Sequence, residues 1–320
     1  MNVRLGLVGL GYLGKIHLNC IKQVSDVEFV GCHDLQSGPA RELCEQHQLR
    51  YFESLDELLS ECDAIDIVTP TITHFQIAEQ AMKMGKHVFI EKPVTSLPAE
   101  AEALLNLQRK MGVKAQIGHV ERYNPAFLAV KPFLKNVRFI EAHRLSSFNP
   151  RGTDVSVVHD LMIHDLDLIS WIAGCDVKSI AANGVSIVSR VADICNARIE
   201  FTNGLVCNVT ASRISVKPMR KIRVFQDDAY ISMDLMTKET QIITMGDEAV
   251  ENSFEIDSYR GKKYISIQNP VIPDVNAIRE EIQSFCKSIV NNTETEVKLE
   301  DGLRALTLVD TIVKQIEAEQ

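Results

Sequence analysis

No apolar stretch in this chain approaches the eighteen or more residues of a membrane-spanning helix, so no membrane partner is expected. Basic residues are short too. The 34 Lys and Arg face 43 Asp and Glu, a formal net charge of −9. That balance argues against a nucleic-acid-binding surface, although an acidic protein can still hold an anionic small molecule in a local basic pocket. None of the eight cysteines forms a Cys-x-x-Cys pair, so neither a zinc ribbon nor a redox dithiol is indicated. Scattered free thiols fit a reducing cytoplasm. No histidine follows His164, which makes the second half read as scaffold or interface. Internal repeats and low-complexity segments are missing as well. The first residues already read as a strand and leave no room for a signal peptide, so a cytoplasmic location is expected. What remains is ordinary soluble composition, 45% hydrophobic and 24% charged, in 320 residues, enough for two domains.

The chain is organised around its start. Asn2–Val8 is an apolar run short enough for a buried strand, followed by Gly9-Leu10-Gly11-Tyr12-Leu13-Gly14 and a helical pattern at Ile16, Leu18 and Ile21. Strand, Gly-x-Gly-x-x-Gly turn and helix is the order a dinucleotide site requires. Gly9 makes the tight turn, Gly11 lets backbone approach a pyrophosphate, and Gly14 lets the helix pack close to the strand. The positive end of that helix then faces the phosphates. A second apolar run, Val27–Cys32, leads to Asp34, an acid placed to accept from adenosine ribose hydroxyls. Leu35, Gln36 and Ser37 follow it without an arginine, which favours NAD and makes NADP the less suited cofactor. Gly9 to Lys15 also fits a P-loop, but Ile16 stands where the magnesium-holding Ser or Thr belongs.

Strand and helix patterns alternate over the first 118 residues. Runs at Ala64–Val68, His87–Ile90 and Lys114–Ile117 read as further strands, with helices at Ala40–Gln48, Leu55–Leu59, Phe75–Met84 and Ala99–Met111. This predicts a parallel sheet covered on both faces, with ligands outside its carboxyl edge. Two turns stand at that edge: Thr69-Pro70-Thr71 with His74, and Glu91-Lys92-Pro93. Val120–Asn136 reads as a crossover, then a strand at Arg138–Leu145 and a helix at Val157–Ile172. After Val177 period-two alternation takes over, with a hairpin turn at Asn203-Gly204 and further strands at Lys221–Gln226, Tyr230–Leu235, Thr240–Met245 and Glu251–Ile256. Helices at Val275–Val290 and Leu303–Ile316 close the chain. The fold class expected is α/β: a Rossmann dinucleotide-binding domain over 1–120 and an α/β domain with a large open, mainly antiparallel sheet over 121–320, its last helix returning to the first domain. The open sheet suggests a homodimer or homotetramer built through it.

Two sets of residues can carry chemistry. Pro93 biases Lys92 towards an extended conformation, so the ammonium projects from a stiff turn. A partly buried lysine titrates low enough to work near neutrality. Farther on, Asp160 and His164 stand at i and i+4 of a helix and share a face, with Asp167 near the same stripe. A carboxylate beside an imidazole orients it and raises its basicity. Zinc competes for His159, His164 and Asp160, but the two histidines lie on different faces and no cysteine is near, so no metal is expected.

With these features the chain resembles the glucose–fructose oxidoreductase, inositol dehydrogenase and rhizopine-catabolism (GFO/IDH/MocA) family. The resemblance rests on Gly9 to Gly14, Thr69-Pro70-Thr71 with His74, Glu91-Lys92-Pro93, Asp160-x-x-x-His164-x-x-Asp167 and Glu300-Asp301-Gly302. It implies an NAD(P)-dependent dehydrogenase acting on a CH–OH group, with Lys92 and His164 as the catalytic pair and Asp160 supporting the histidine; which of the pair is the base stays open. Cofactor contacts are expected from Gly9, Gly11, Tyr12, Leu13, Gly14, Asp34, Thr69, Pro70, Thr71, His74, Glu91 and Lys92. Thr71 departs from the family, which often has Asn there. Gly118–Pro125 and Glu141–Val155 are most similar to the branch that oxidises the 3-hydroxyl of UDP-N-acetylglucosamine for lipid A precursors. Arg122, Tyr123, Asn124, Arg144 and Arg151, with Asp160 and His164, are then the expected substrate contacts, forked donors suited to a diphosphate. A free cyclitol, polyol or aldose is the alternative substrate. A non-catalytic NAD-binding regulator would have lost the lysine or histidine, and both are present.

Overall fold

The computed structural model describes residues 2–149, 155–250, 252–258 and 261–318. The chain divides into two compact units, 1–120 with 275–307, and 121–274 with 308–320.

The first unit begins with β1 (Val3–Val8), α1 (Tyr12–Ile21), β2 (Val27–His33), α2 (Ser37–Gln46), α3 (Leu55–Glu61), β3 (Ala64–Ile67), α4 (His74–Lys83), β4 (His87–Glu91), α5 (Pro98–Met111) and β5 (Ala115–Gly118). Its five strands are parallel in the order β2-β1-β3-β4-β5. The chain leaves β1 towards one side for β2 and towards the other for β3. That reversal opens a crevice at the carboxyl ends of β1 and β3, where doubly wound sheets bind ligands. β3 is buried along its whole length, as a strand covered on both faces must be.

The second unit holds α6 (Pro125–Val130), β6 (Val137–Leu145), α7 (Ile163–Ala173) and eight further strands: β7 (Val177–Val185), β8 (Ile194–Phe201), β9 (Val206–Ser212), β10 (Met219–Gln226), β11 (Ala229–Asp234), β12 (Glu239–Gly246), β13 (Ser253–Ser258) and β14 (Gly261–Gln268). They form one sheet in the order β13-β14-β12-β11-β10-β6-β9-β8-β7, antiparallel except where β6 runs parallel to β9. Alternate residues Cys195, Ala197, Ile199 and Phe201 of β8 are buried, and α7 packs on β6 and β9 over that apolar side. Asn124 caps α6 by accepting from the Ala126 N–H at 3.0 Å.

Helices α8 (Ala277–Val290) and α9 (Leu299–Ala318) end the chain. The apolar stripe of α8, with Ile282 and Phe285 fully buried, joins Leu5, Leu18 and Ile21 in the core of the first unit. Each such side chain contributes about 1.5–3 kcal/mol. The segment behind α8 also bonds to β5, through Thr295 Oγ1 to the Ala115 carbonyl and the Ile117 N–H to the Val297 carbonyl. Residues 275–307 therefore count with the first unit, where the sequence reading assigned 121–320 to the second domain. Glu300-Asp301-Gly302, expected ahead of the last helix, lies inside the first turn of α9. A Cβ at Gly302 would stand 2.8 Å from Ile117 Cγ1, so only glycine allows this approach. β14 was not anticipated; its Lys262 and Lys263 hide the alternation.

Candidate active site

The glycine turn follows β1. Gly9 takes φ +99°, and a Cβ there would stand 2.6 Å from the Val68 carbonyl oxygen. At Gly14 a Cβ would stand 2.1 Å from the Gly9 carbonyl oxygen, so helix and turn can touch only without one. At Gly11 it would meet nothing within 4 Å, which leaves bare backbone beside the start of α1. Asp34 closes the other side: its Oδ2 accepts from the Leu10 N–H at 2.6 Å and its Oδ1 from the Gln36 N–H at 2.7 Å. Between them lies a cleft of about 500 Å³ lined by Gly9, Gly11, Asp34, Thr69 and Pro70 among others. Leu35 and Ile72 also line it, 86% and 78% exposed. Two bare apolar side chains on a polar-rimmed cleft suit the faces of a flat base. Sequence reasoning missed them, although an isolated Leu or Ile in a loop was the available signal. Tyr12 is 82% exposed, and Leu13 packs against the core of the unit. Bare amides at a helix start, a carboxylate and an apolar slot fit an adenine dinucleotide.

His74 has another task than the cofactor contact expected of it. It is 1% exposed, with Nδ1 2.9 Å from the Pro93 carbonyl and Nε2 2.8 Å from the Thr69 carbonyl. It stands between the Thr69-Pro70-Thr71 turn and the Glu91-Lys92-Pro93 turn; burial lowers its pKa, and the neutral ring donates to one of the two carbonyls. Thr71 opens a short 3₁₀ turn that leads into α4.

Glu91 ends β4, and its Oε2 accepts from the Lys92 backbone N–H at 2.9 Å. The Lys92–Pro93 peptide is cis. Beneath Glu91 lies a buried group that sequence reasoning did not single out. His17 of α1 is fully buried, with Nδ1 2.8 Å from Asp66 Oδ2 and Nε2 3.2 Å from Glu91 Oε1. Glu281 of α8 is fully buried beside them. Ligand-type atoms of His17, Glu91 and Glu281 all lie within 4.8 Å of one another. Burial works to lower the His17 pKa, but Asp66 and then Glu91 outweigh it and hold the imidazole well above 6.5. Burial pushes Glu281 well above its usual range, and the charge of Glu91 pushes it further. Burial works the same way on Glu91, yet His17, the Lys92 charge and the Lys92 N–H keep it low. A polar residue on a buried helical stripe was the available signal: His17 shares its stripe with Leu13, Cys20 and Val24, and Glu281 shares one with Ile278 and Phe285.

In the second unit the helix expected over Val157–Ile172 opens as a π turn, Val158–Met162, before α7 begins. Such turns widen the ring, so the i, i+4 argument for Asp160 and His164 loses its premise; both side chains are half-buried. Burial lowers the His159 pKa, and the charges of Asp310 and Glu317 work against it.

The arginines are placed differently from expectation. Arg122 is 4% exposed and bonds Asp167 with both fork nitrogens, at 2.6 and 2.7 Å. Arg144 bonds Asp165 at 3.0 and 2.8 Å and Glu121 at 2.8 Å. Asn124 gives its amide N–H to Glu121 and the Leu235 carbonyl. Tyr123 is buried. These forks bond carboxylates of the same unit, so they are not the free donors that the reading as a diphosphate grip expects. Arg151 lies outside the described residues.

A parallel sheet with a switch-point crevice, a glycine turn and a carboxylate at the second strand defines a dinucleotide-binding domain. Comparison with known proteins agrees. The profile of an oxidoreductase family with an NAD-binding Rossmann fold matches residues 3–119, and that of the GFO/IDH/MocA C-terminal domain matches 135–232. The chain belongs to the GFO/IDH/MocA family and is an NAD-binding oxidoreductase, an enzyme of the dehydrogenase class. It is 38% identical over 247 residues to UDP-N-acetylglucosamine 3-dehydrogenase of Acidithiobacillus ferrooxidans, covering 77% of this chain and 78% of that one. A solved structure of that enzyme superposes with TM-score 0.90 at 33% identity, over 99% of each chain. Myo-inositol 2-dehydrogenase of Thermotoga maritima is 25% identical over 337 residues, 99% of this chain and 97% of that one. Among the described residues no helix is long and apolar enough to cross a membrane.

Proposed function

We propose that this enzyme oxidises the 3-hydroxyl of UDP-N-acetylglucosamine to the ketone, in the cytoplasm, for lipid A precursor synthesis. The observation that carries this reading is the likeness to UDP-N-acetylglucosamine 3-dehydrogenase along 99% of the chain. Residues 1–120, with 275–307 packed on them, form the NAD-binding part and 121–274 the substrate and oligomerisation part, assembled as a homodimer or homotetramer through the open sheet. Gly9, Gly11 and the start of α1 hold the pyrophosphate, Asp34 takes a ribose, and Leu35 and Ile72 hold the base. The bound nicotinamide supplies the two-electron acceptor for the carbinol carbon. Lys92 and His164 manage the hydroxyl proton, one accepting it and the other holding the oxygen, with Asp160 supporting the histidine. Glu91 and His74 fix the turn that carries Lys92.

The test is reduced-nicotinamide absorbance with NAD and UDP-N-acetylglucosamine, against myo-inositol, scyllo-inositol and free N-acetylglucosamine. Turnover confined to the nucleotide sugar supports the reading. Turnover of a free cyclitol and none of the nucleotide sugar replaces it with the second reading, which the Thermotoga maritima relative favours. Lys92→Ala and His164→Ala should each lower kcat by about 10²–10⁴-fold with NAD affinity retained. Undiminished turnover in both variants sinks the assignment.

A further inference from the structure

The buried group under Lys92 has more acid than it can ionise. Asp66 on β3, His17 on α1, Glu91 on β4 and Glu281 on α8 bring three carboxyls to one imidazole, all nearly or fully out of water. Phe89 meets the His17 ring edge-on at 6.0 Å and Phe285 packs on Phe89 at 5.9 Å, so the walls are apolar. Lys92 is a cation felt by Glu91, buried His74 also feels the Glu91 charge, and the thiols of Cys20 and Cys286 face the cluster too. Both Glu281 carboxyl oxygens lack a hydrogen-bond partner, as do Gln116 Oε1, Asp66 Oδ1 and His17 Nε2, whose 3.2 Å contact with Glu91 Oε1 is an ion pair outside hydrogen-bond geometry; Gln116 Nε2 donates to the Glu281 carbonyl at 2.7 Å. A charged Glu281 here would be buried against Glu91 with only His17, already claimed by Asp66, to offset it, so it keeps its proton.

The contacts run in one direction. Asp66 fixes the His17 ring through Nδ1, Nε2 of that ring faces Glu91 Oε1, and Glu91 Oε2 takes the Lys92 N–H. We infer that Asp66, His17 and Glu91 form a positioning chain for Lys92, tying the helix behind the glycine turn to the backbone of the proton-handling lysine. The inference rests on Lys92 having the role proposed above. His17 touches neither substrate nor cofactor in it; it acts through Glu91. With the chain intact the turn has one orientation. Without the His17 Nε2 contact Glu91 keeps the Lys92 N–H but its carboxylate gains freedom to turn, and a misplacement of about 1 Å at a reacting group costs about 10²-fold in rate.

Two near-isosteres separate the links. His17→Gln puts an amide N–H where Nε2 stood and keeps the contact with Glu91; His17→Asn keeps only the one with Asp66. The expected result is a kcat about 10²-fold down for His17→Asn and within a few-fold of wild type for His17→Gln, with KM and NAD affinity unchanged in both. Hydrogen exchange of the Lys92 amide, followed by NMR without cofactor, should be slow in wild type and His17→Gln and fast in His17→Asn. Equal kcat in the two variants, or equal exchange, overturns the inference. If neither variant folds, exchange in the wild type decides alone, and an unprotected Lys92 amide overturns it. One divalent metal per chain in the purified enzyme, lost in Glu281→Gln, also overturns it by giving Nε2 another partner. Lys92→Ala keeps the two claims apart. Full turnover in that variant removes the role of Lys92 and the chain with it; lost turnover beside a fully active His17→Asn removes the chain alone.

Discussion

Each unit buries a charged cluster, and the two are built on opposite plans. In the second unit two guanidinium groups meet three carboxylates: Arg122 with Asp167, and Arg144 with Asp165 and Glu121. Every charge there has a forked partner at 2.6–3.0 Å. Burial works to lower the Arg144 pKa, but Asp165 and Glu121 hold it above its already high value, so the guanidinium stays charged. In the first unit one imidazole meets three carboxyls and several oxygens go without partners. Planar fork against single ring, permanent charge against shared proton: the first plan braces the helix next to His164, and the second leaves Lys92 on a support that answers to pH.

The largest expected effect is on the clamp. Arg144→Met leaves Asp165 buried without its cation, while Glu121 keeps Asn124 at 2.7 Å and Arg220 at 3.9 Å, and should cost about 3–5 kcal/mol of stability by denaturant unfolding. Arg144→Lys should recover little of it, because an ammonium cannot serve two carboxylates in one plane. A loss below about 1 kcal/mol would mean that water reaches the pair, and the contrast between the clusters would go.

The next effect is on pH dependence, and its sign follows from the shifts. His17 is held well above 6.5, so its stabilisation is complete below about pH 6.5 and is lost as pH rises through the folded value. Glu281 is held well above 4.5, so the folded state keeps a proton the unfolded state has lost, and stability again falls with rising pH. The lowered histidines His74, His87 and His159 have made their contribution by pH 6.5. The buried thiols begin to matter only near pH 8.5, where an unfolded cysteine ionises. Between about pH 6.5 and 8.5 the first unit should therefore lose stability, by at most about 1.4 kcal/mol per pH unit for each proton, while the Arg144 guanidinium, charged throughout, contributes no slope. A flat profile over that window would make the clusters alike.

The same contrast marks how far the sequence could be read. Gly9 to Gly14, Asp34 and the four apolar runs after β1 are local patterns with one physical meaning each, and the parallel sheet follows from them. The strands of the second unit were legible down to β13 because alternation is local as well. Partners are not local. Arg122 finds Asp167 and Arg144 finds Asp165 through the fold, so an arginine in a promising loop reads as a ligand contact until its carboxylate is placed beside it. His17 and Glu281 are a middle case, since their place on an apolar stripe announces burial but not company. His164 and Asp160 were singled out by their i, i+4 spacing and given roles by resemblance, while the π turn that holds Asp160 left no mark in the residue pattern.

The smallest effect is the most discriminating. Glu281→Gln exchanges a carboxyl for an amide of nearly the same shape. If Glu281 is the neutral acid of the cluster, no charge is lost at pH 7 and stability should change by less than about 1 kcal/mol. The downward slope between about pH 6.5 and 8.5 should become shallower, since one of the two protons held by the folded state is gone. If Glu281 were instead ionised, the swap would remove a carboxylate repelled by Glu91 in a site without water, and the variant would be clearly more stable than wild type at pH 7. Unfolding curves of the two proteins at three pH values separate these cases, and with them a cluster that shares a proton from one that only tolerates its charges.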